Sequence, residues 1–366
     1  MKKIIHLLWT GGIGGIERLC LTIGECNPNI HEFWFVHRGG IICDQMKKQG
    51  LSVKQLNYEN KDVLRLCKTL KNAESKMDAV IIHHDATMLW LCVPILRLKA
   101  YTVPIYLYAH CAYSDFANSF VKKMVFRYAS SSCDGVIAIS DYVKNSVLEH
   151  QKLKKEKISV IYNGIDLNRY TKNDETKGLF RIIFVGRLIE QKGVRLLIEA
   201  LSIVKRQIEY ECCIVGDGPE KKKLEEMTRN HELQGKVLFL GNRTDIPDLL
   251  HESVAFVHPA TWEEGFGITL IEAMACSLPC IAFRKGAIPE YIEDGVNGFL
   301  VSEASADALA SKIIDVYHLW EQGRLNNVSE QARNTAETFS CEKTEENIRK
   351  LVLRPASYSQ YLKDKK

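Results

Sequence analysis

Short apolar runs alternate with helix-like segments along almost the whole chain, and this alternation restricts the fold more than any other feature. In the first half the apolar runs include KIIHLLW, HEFWFVH, DAVIIHH and VPIYLYAH. The second half repeats the pattern with LFRIIFVG, YECCIVG, VLFLG and VAFVH. Strands that alternate with helices form parallel sheets whose two faces are both covered. The sequence therefore predicts an α/β protein built on Rossmann-like, doubly wound parallel sheets.

The length of the chain and one polar stretch indicate two domains. A chain of 366 residues is long for a single domain and comfortable for two. Residues 167–178, LNRYTKNDETKG, are polar and are typical of a linker. We therefore predict an N-terminal domain over residues 1–166 and a second domain over residues 179–340. A C-terminal helix and tail are predicted over residues 341–366.

Composition argues against several classes of protein. A net charge of +4 is too balanced for a protein whose main partner is a nucleic acid. The 12 cysteines are scattered without a CxxC spacing, which indicates free thiols in a reducing cytosol rather than disulfides or zinc ligands. The first apolar run is too short for a signal peptide, and residues 86–96 are too few to span a bilayer. We expect a cytoplasmic protein.

Residues 256–301 carry the strongest indication of a binding site. An apolar run predicts a buried strand, a polar loop follows it, and a helix is predicted to begin near Gly267. The first turn of a helix offers unpaired N–H groups and a partial positive charge, which together favour a phosphate. Gly265 and Gly267 allow a ligand to approach the backbone closely. The loop therefore predicts a site for a phosphate or diphosphate.

Two glutamates lie on either side of this loop. Glu264 precedes the glycines, and Glu272 follows eight positions later inside the predicted helix. Carboxylates accept hydrogen bonds from vicinal hydroxyls, so the pair could hold a sugar at one end and a ribose at the other. The alternative is that Glu264 only precedes a helix and that Glu272 is a solvated helix residue. The spacing, the glycines and the following strand-like run AMACSLPCIA favour binding.

Three further turns follow predicted strands, at the edge where open parallel sheets bind ligands. Gly14 and Gly15 follow the first strand, but their spacing does not fit the dinucleotide fingerprint. His110 ends VPIYLYAH, and a lone histidine is more often structural than functional. Arg187 and Lys192 lie five positions apart in GRLIEQKG, where both cations could close on one diphosphate. Ordinary surface charge is the alternative for this pair.

These motifs resemble the family 4 (group 1) retaining glycosyltransferases of the GT-B architecture. EGFGITLIEAMA, residues 264–275, matches the family pattern of two glutamates separated by seven residues throughout its length. GRLIEQKG, residues 186–193, matches the arginine and lysine motif, and VIYNGID, residues 160–166, resembles the hinge string. The resemblance extends over nearly the whole chain. It implies two Rossmann-like domains facing a cleft, with the acceptor on the N-terminal side and the last helix packed back on that domain.

The resemblance implies roles for the charged residues and the loop of the second domain. Glu272 would take the ribose hydroxyls, and Glu264 would take the sugar hydroxyls. Arg187 and Lys192 would neutralise the diphosphate. Arg243 falls where the backbone of family members often contacts the nucleobase. The other residues predicted to bind the nucleotide sugar in this domain are Gly265, Phe266, Gly267 and Ile268.

In the first domain, the resemblance assigns the turn with Gly14 and Gly15 to the donor diphosphate. It implies that His110 reaches the donor sugar and its phosphate. The residues predicted to be catalytic are Glu264, His110, Arg187 and Lys192.

The family transfers sugars with retention of the anomeric configuration, and this implies a particular route. The acceptor would attack on the face that the nucleotide leaves, and a phosphate oxygen would take the proton. No D-x-D motif is obvious, so we expect neither a divalent metal nor another cofactor, with cations and helix N-termini stabilising the diphosphate. Glu264 is not assigned as a nucleophile, because double displacement needs a carboxylate close to the anomeric carbon.

The predicted donor is a nucleotide-diphosphate sugar, with a UDP-sugar favoured over a GDP-sugar, and a hexosyl or N-acetylhexosaminyl group is transferred. Bacterial family members often build surface polysaccharides, so a glycan or a lipid-linked hydroxyl is the predicted acceptor. The apolar and basic stretch over residues 88–127 could contact the cytoplasmic membrane face. Buried helices of the first domain are the simpler interpretation of that stretch.

Three other activities share some of these features. A sugar-nucleotide epimerase can have the same architecture, but the intact EGFGITLIEAMA string favours transfer. A glycosidase could use two glutamates, yet it would not need Arg187 and Lys192. A catalytically silent nucleotide-sugar-binding protein would be expected to have lost one of the matched charged residues, and none is lost.

Overall fold

The computed structural model describes residues 3–83, 86–116, 119–151, 153–172 and 178–353. The chain divides into an N-terminal unit, residues 1–164 with 341–366, and a C-terminal unit, residues 165–340. Residues 173–177 of the predicted linker and residues 354–366 of the predicted tail lie outside the described residues.

Seven parallel strands form the sheet of the N-terminal unit. They are β1 (Lys3–Thr10), β2 (His31–Arg38), β3 (Ser52–Gln55), β4 (Met77–Ile82), β5 (Ile105–Ala109), β6 (Gly135–Ala138) and β7 (Ile158–Val160). Their order is β3-β2-β1-β4-β5-β6-β7, and Leu7 pairs with Trp34 on one side and with Ile82 on the other. Ile4, Leu7 and Leu8 of β1 are fully buried. The near-continuous apolar runs are therefore strands that helices cover on both faces.

Within the described residues, seven α-helices connect these strands. They are α1 (Gly15–Cys26), α2 (Ile41–Lys48), α3 (Val63–Asn72), α4 (Thr87–Leu98), α5 (Tyr113–Phe116), α6 (Phe120–Ser132) and α7 (Asp141–His150). The Ser119 and Ser140 side chains cap α6 and α7 by accepting hydrogen bonds from backbone N–H groups of the first turn. Such caps satisfy N–H groups that have no partner within the helix.

Six parallel strands form the sheet of the C-terminal unit. They are β8 (Arg181–Val185), β9 (Glu211–Val215), β10 (Val237–Gly241), β11 (Ala255–His258), β12 (Cys280–Phe283) and β13 (Phe299–Val301). Their order is β10-β9-β8-β11-β12-β13. The helices are α8 (Val194–Val204), α9 (Lys221–Asn230), α10 (Ile246–His251), α11 (Ile268–Ala275), α12 (Ala306–Glu321) and α13 (Leu325–Glu337). On this sheet, α12 packs beside α8 and α13 packs beside α11.

The last helix among the described residues, α14 (Cys341–Val352), belongs to the N-terminal unit, where it packs against α1. The Thr344 hydroxyl donates to the Tyr162 carbonyl at 2.9 Å, and the Tyr106 hydroxyl donates to the Leu351 carbonyl at 3.3 Å. Ile348 is fully buried on the same helix. The N-terminal unit is therefore built from both ends of the chain.

The two parallel sheets confirm the predicted α/β class with two doubly wound domains. None of the described helices is long and apolar enough to cross a membrane.

Candidate functional site

Two turns meet where the strand order of the C-terminal sheet reverses. β8 and β11 are neighbours, and the chain continues to β9 on one side and to β12 on the other. Open parallel sheets bind ligands at such a reversal, beyond the carboxyl ends of the strands. The turn after β8 carries Arg187 and Lys192, and the loop after β11 carries Glu264. Topology therefore brings three of the predicted residues to one edge of the sheet.

The two turns pack backbone against backbone. Lys192 ends a 3₁₀ turn, and Gly193 follows it with φ +68° in the left-handed region. A Cβ atom on Gly193 would come within 1.8 Å of the Pro259 carbonyl oxygen. Glycine is required here both for the backbone conformation and for the close approach. This packing fixes Lys192 beside the loop that carries Glu264.

The Glu264 carboxylate is held by two side chains. Lys192 Nζ donates to Glu264 Oε2 at 2.6 Å, and His258 Nε2 lies 3.2 Å from the same oxygen. His258 is the last residue of β11 and is buried. The backbone of Glu264 is also fixed, because its carbonyl accepts the Ala287 N–H at 2.8 Å. Glu264 is therefore placed by its strand, by the turn after β8 and by the loop after β12.

These contacts determine the charge of the cluster. Burial favours the neutral form of Glu264, but the His258 hydrogen bond and the Lys192 charge outweigh it and lower the pKa from 4.5 to about 2. Burial lowers the pKa of His258, so its ring is neutral at neutral pH. A carboxylate only accepts, so His258 Nε2 carries the proton and Nδ1 carries a lone pair. That Nδ1 is buried without a hydrogen-bond partner in the described part of the chain.

Helix α11 begins four residues after Glu264. Gly267 is its N-cap and has φ +80°, which turns the chain into the helix within one residue. Phe266 is buried, and its carbonyl accepts the Tyr291 hydroxyl at 2.5 Å. The predicted residues Gly265, Gly267 and Ile268 therefore line a fixed turn at a helix N-terminus, a position whose partial positive charge favours an anion.

Glu272 lies inside α11 and is buried, with 7% of its surface exposed. The Tyr170 hydroxyl donates to Glu272 Oε1 at 2.8 Å, and Tyr170 is also buried. Arg333 donates to the Tyr170 carbonyl at 2.7 Å and so fixes the backbone of that residue. The structure excludes the alternative in which Glu272 is a solvated helix residue.

The two predicted arginines do not join this cluster. Arg187 is exposed in the turn after β8 and makes no ion pair within the ranges that the structure describes. Arg243 points its guanidinium at Asp245, with Nε donating to Oδ1 at 2.8 Å. Of the three cations predicted in this unit, only Lys192 contacts a predicted carboxylate.

The remaining predicted residues belong to the N-terminal unit. Gly15 begins α1, and a Cβ atom there would meet nothing within 4 Å, whereas one on Gly14 would come within 2.4 Å of a Glu17 carboxylate oxygen. An anion that approaches Gly14 therefore meets a negative charge. His110 follows β5 and is half-buried, and its Nε2 lies 3.1 Å from His83 Nδ1.

Sequence reasoning missed His258 and Tyr170, the partners of the two glutamates. His258 could have been found, because it ends a buried strand at the carboxyl edge, much as His110 directly follows one. Tyr170 gave no such signal, since it lies in the polar stretch that was interpreted as a linker.

Two groups of side chains could hold a metal ion among the described residues, and both lie in the N-terminal unit. One group is His6, Cys20 and His83, and the other is Cys26, Cys341 and Glu342. All 12 cysteines are free thiols.

A cavity of about 550 Å³ opens in the C-terminal unit away from the predicted residues. Arg284, Glu290, Asn297 and Thr338 are among its lining residues, and none of the predicted site residues is. The candidate site is therefore identified by its charges and backbone turns rather than by this cavity.

Each of the two units contains a region that matches a known protein family. Residues 169–335 match the family described as "Glycosyl transferases group 1", and residues 44–169 match "Glycosyltransferase Family 4". The first match contains Lys192, Glu264 and Glu272.

Individual proteins give the same assignment. An uncharacterized glycosyltransferase of Methanocaldococcus jannaschii is 30% identical over 275 residues, which cover 74% of each chain. The N-acetyl-alpha-D-glucosaminyl L-malate synthase of Bacillus anthracis is 31% identical over 60% of this chain and 59% of that protein. Among solved structures, the Anabaena protein HepE in complex with UDP-glucose superimposes with a TM-score of 0.83 at 24% identity, over 96% of this chain and 99% of that one.

Proposed function

This chain belongs to the family 4 (group 1) glycosyltransferases of GT-B architecture, and we propose that it is a retaining enzyme that uses a nucleotide-diphosphate sugar. In this proposal a hexosyl or N-acetylhexosaminyl group passes from a UDP-sugar, with a GDP-sugar less favoured, to a hydroxyl of a glycan or lipid-linked acceptor. The observation that carries the proposal is the Lys192–Glu264 pair beside the N-terminus of α11. Names of similar proteins support a UDP-linked donor, since HepE binds UDP-glucose.

Glu264 and Glu272 act as hydrogen-bond acceptors for hydroxyls in this proposal. With a pKa of about 2, Glu264 is ionised at neutral pH and accepts hydrogen bonds from vicinal sugar hydroxyls. Glu272 is buried behind the first turn of α11, where Tyr170 orients its carboxylate toward ribose hydroxyls. The two charges lie on one rigid turn and helix, so the hydroxylated groups bind at a fixed separation.

Positive charge and backbone N–H groups stabilise the leaving diphosphate. Arg187 has no ion pair within the described ranges, so its guanidinium can form a bidentate contact with phosphate oxygens. Lys192 and the first turn of α11 supply further positive potential. Because these groups carry out the charge stabilisation, we propose that transfer needs no divalent metal.

Retention follows the front-face route, in which Glu264 is not the nucleophile. The Lys192 and His258 contacts tie up this carboxylate and lower its pKa, and both effects weaken a nucleophile. The acceptor hydroxyl then attacks on the face that the diphosphate leaves. Its proton passes to a phosphate oxygen, the carbon–oxygen bond to the diphosphate breaks, and the acceptor–sugar bond forms.

The acceptor side of the proposal is surface polysaccharide synthesis, with a peripheral contact between the enzyme and the cytoplasmic membrane face. The exposed face of α6 supports this contact. Phe120, Val121 and Tyr128 are each at least 60% exposed, and Lys123 and Arg127 are exposed on the same helix. An amphipathic surface of apolar and basic side chains binds anionic lipid interfaces.

The donor is tested by thermal unfolding in EDTA with UDP, GDP, ADP and their common sugar conjugates. A ligand at a hundred times its dissociation constant adds about 2.7 kcal/mol of stability. We expect stabilisation by UDP and one UDP-sugar, equal in EDTA and in Mg²⁺, and lost in Glu272→Ala. Tyr170→Phe is the matched control, because it removes the hydrogen bond between Tyr170 and Glu272 but keeps the Glu272 carboxylate. Stabilisation by UDP should therefore persist in Tyr170→Phe.

The outcomes separate the alternatives. A folded protein that no nucleotide stabilises contradicts the donor site. Binding followed by conversion of the nucleotide sugar without an acceptor indicates an epimerase, and binding without any turnover indicates a silent binding protein. The anomeric proton coupling of the product distinguishes retention from inversion.

A further inference from the structure

Three side chains that can ligate a metal ion meet where α1 packs against α14. Cys26 is the last residue of α1, and Cys341 and Glu342 are the first two residues of α14. Each residue offers one sulfur or carboxylate oxygen, and these three atoms all lie within 4.8 Å of one another. The group therefore joins the two ends of the chain and depends on the return of α14 to the N-terminal unit.

The Cys341 thiol contacts both other members of this group. Its hydrogen bond with Cys26, together with burial and the negative charge of Glu342, raises the pKa of the thiol. The Glu342 side chain hydrogen-bonds the same thiol. The three side chains are therefore in direct contact with both helices in their present positions.

Contacts one turn further along α14 fix the position of its first turn. The Thr344 hydroxyl donates to the Tyr162 carbonyl at 2.9 Å, and Glu345 accepts the Asn27 side-chain amide at 3.3 Å. Asn27 directly follows Cys26 and caps the C-terminus of α1. Both helices therefore hold their ligands in place through neighbouring hydrogen bonds, which is the kind of support that metal ligands need.

The ligand types and their separation favour Zn²⁺. Two thiolates suit a borderline-soft ion, and a carboxylate suits zinc better than Cu(I). With Zn–S bonds of about 2.3 Å, the two sulfurs of a tetrahedral site lie about 3.8 Å apart. Side-chain movements of about 1 Å therefore bring the three atoms to zinc distances. Binding forms two Zn–S bonds and one Zn–O bond, releases the thiol protons to solvent and leaves a fourth position for water.

Access from solvent separates this group from the other possible metal group of the unit. Glu342 is exposed and Cys26 is half-buried, so an ion can enter between them. In contrast, His6, Cys20 and His83 are at most 2% exposed and are closed to solvent.

The position of the group indicates a structural role. Gly15 and Cys26 stand at opposite ends of α1, about 16 Å apart along the helix axis. A metal ion at Cys26 is therefore too far away to contact a diphosphate at the Gly15 turn.

We propose that Cys26, Cys341 and Glu342 form a structural Zn²⁺ site that holds α14 against α1. The ion stabilises the N-terminal unit and takes no part in sugar transfer, so this site is independent of the proposed function. It departs from the expectation that the scattered cysteines are not zinc ligands. That expectation rested on local spacing, whereas these ligands come from opposite ends of the chain.

Metal analysis of the full chain tests the site directly. The protein is purified without a polyhistidine tag, in a buffer with a reductant that contains no thiol, and is then dialysed against zinc. We expect one Zn²⁺ per chain. Reconstitution with Co²⁺ should produce near-ultraviolet absorption from thiolate-to-cobalt charge transfer. A chain that retains no zinc after this treatment would overturn the proposal.

Substitution of single ligands locates the ion. We expect Cys26→Ser and Glu342→Gln each to weaken Zn²⁺ binding by roughly 100-fold or more, since even a partner outside the ligand set is worth about 10- to 100-fold. Neither residue is buried in the core, so both variants should fold. The matched controls are Cys111→Ser, a half-buried thiol of the same unit, and Glu346→Gln on α14, which pairs with Lys350. Zinc affinity that is unchanged in both ligand variants would contradict the site.

The effect of the ion on the fold gives a second readout. Removal of zinc with a chelator should lower Tm by several degrees, raise hydrogen exchange in residues 15–26 and 341–352, and speed alkylation of Cys26 and Cys341 but not of Cys111. A disulfide between Cys26 and Cys341 in protein isolated from cells would overturn the proposal. UDP should stabilise the zinc-loaded and zinc-free proteins equally. Loss of the zinc site would therefore leave the proposed function standing, and a chain that binds zinc but no nucleotide would do the reverse.

Discussion

Glu264 is the residue whose charge links the candidate site to the stability of the fold. Its pKa is about 2 in the folded protein against an ordinary value of 4.5. A carboxyl whose folded pKa is depressed stabilises the protein fully above its unfolded pKa, and this contribution is lost as the pH falls toward the folded pKa. The relevant window therefore extends from about pH 4.5 down to about pH 2.

We predict that Glu264→Gln lowers the free energy of unfolding at pH 7 by about 3 kcal/mol. The difference from wild type should shrink below pH 4.5, because wild-type Glu264 then loses its charge advantage. Urea unfolding of both proteins at pH 7, 5 and 3.5 measures this difference in the free energy of unfolding. Glu226→Gln is the control, since Glu226 is exposed on α9 and makes no ion pair in the described part of the chain. A difference that stays constant with pH would contradict the assigned charge state.

Arg187 should affect donor affinity without affecting stability. It is exposed and has no ion pair within the described ranges, so Arg187→Ala removes no folded-state contact of that kind. A charge-assisted hydrogen bond to a ligand is worth about 1.5 to 3 kcal/mol, so we predict that UDP binds roughly 10- to 100-fold more weakly. Calorimetric titration measures the UDP affinity. The free energy of unfolding should change by less than about 0.5 kcal/mol.

Arg195→Ala is the matched control for that prediction. Arg195 lies on α8, eight positions along the chain, is exposed and pairs with Glu199. It should leave UDP affinity unchanged. Equal affinity in wild type and Arg187→Ala would remove Arg187 from the diphosphate site.

At the scale of single residues, the sequence indicated which charges to expect but not their partners. The Lys192–Glu264 contact joins residues 72 positions apart, and the Tyr170–Glu272 contact joins residues 102 positions apart. Such contacts depend on how separate turns pack, which a local pattern does not specify. Arg243 shows the opposite case, because its guanidinium binds Asp245, only two positions along the chain, whereas the predicted contact with the nucleobase concerned the backbone at this position.

Among the structural elements, the turn between β8 and α8 should tolerate no side chain at Gly193. We predict that Gly193→Ala destabilises the C-terminal unit by more than about 2 kcal/mol, because it adds a clash with the Pro259 carbonyl to the strain of a left-handed alanine. Gly235→Ala is the matched control. It has φ +81° but open space around its Cβ, so it should cost only about 1 kcal/mol. Denaturant unfolding compares the two variants. Equal losses of stability would show that the contact with the Pro259 carbonyl is relieved easily.

The exposed face of α6 should control any association with membranes. We predict that the double substitution Phe120→Ser and Val121→Ser reduces co-sedimentation with vesicles of mixed phosphatidylserine and phosphatidylcholine several-fold, because it removes two side chains that are 77% and 63% exposed. Leu64→Ser is the control, since Leu64 is 60% exposed but lies on α3 rather than on α6. It should leave co-sedimentation unchanged. Wild-type protein that stays in solution with anionic vesicles would contradict the membrane contact.

Element boundaries show where local patterns are ambiguous. The run AMACSLPCIA was interpreted as strand-like, but the structure ends α11 at Ala275 and begins β12 only at Cys280. Small apolar residues fit both a buried helix and a buried strand, so periodicity alone does not separate them. The turn between them contains Ser277 with φ +61°, a conformation that residue type does not predict well.

For the molecule as a whole, alternation in the sequence predicted parallel sheets and the structure confirms them. The order of the strands was not predictable in this way, because every βα unit has a similar pattern of apolar residues. The order depends on the side of the sheet to which each connection adds the next strand. That order determines the site, since the reversal between β8 and β11 brings Lys192 to Glu264. The functional assignment therefore came from the sequence motifs, and the topology explains why motifs that are distant in sequence lie at one site.

The return of α14 to the N-terminal unit gives a prediction about the whole chain. Ile348 is fully buried on α14, so Ile348→Ala should leave a cavity and cost about 2 to 5 kcal/mol. Because α14 packs against α1, hydrogen exchange followed by mass spectrometry should rise across residues 1–164 and not across residues 165–340. Ile313→Ala is the matched control, since Ile313 is equally buried on α12, and it should raise exchange in residues 165–340 instead. Faster exchange in residues 165–340 on Ile348→Ala would mean that α14 stabilises the unit it follows in sequence rather than the unit it packs on.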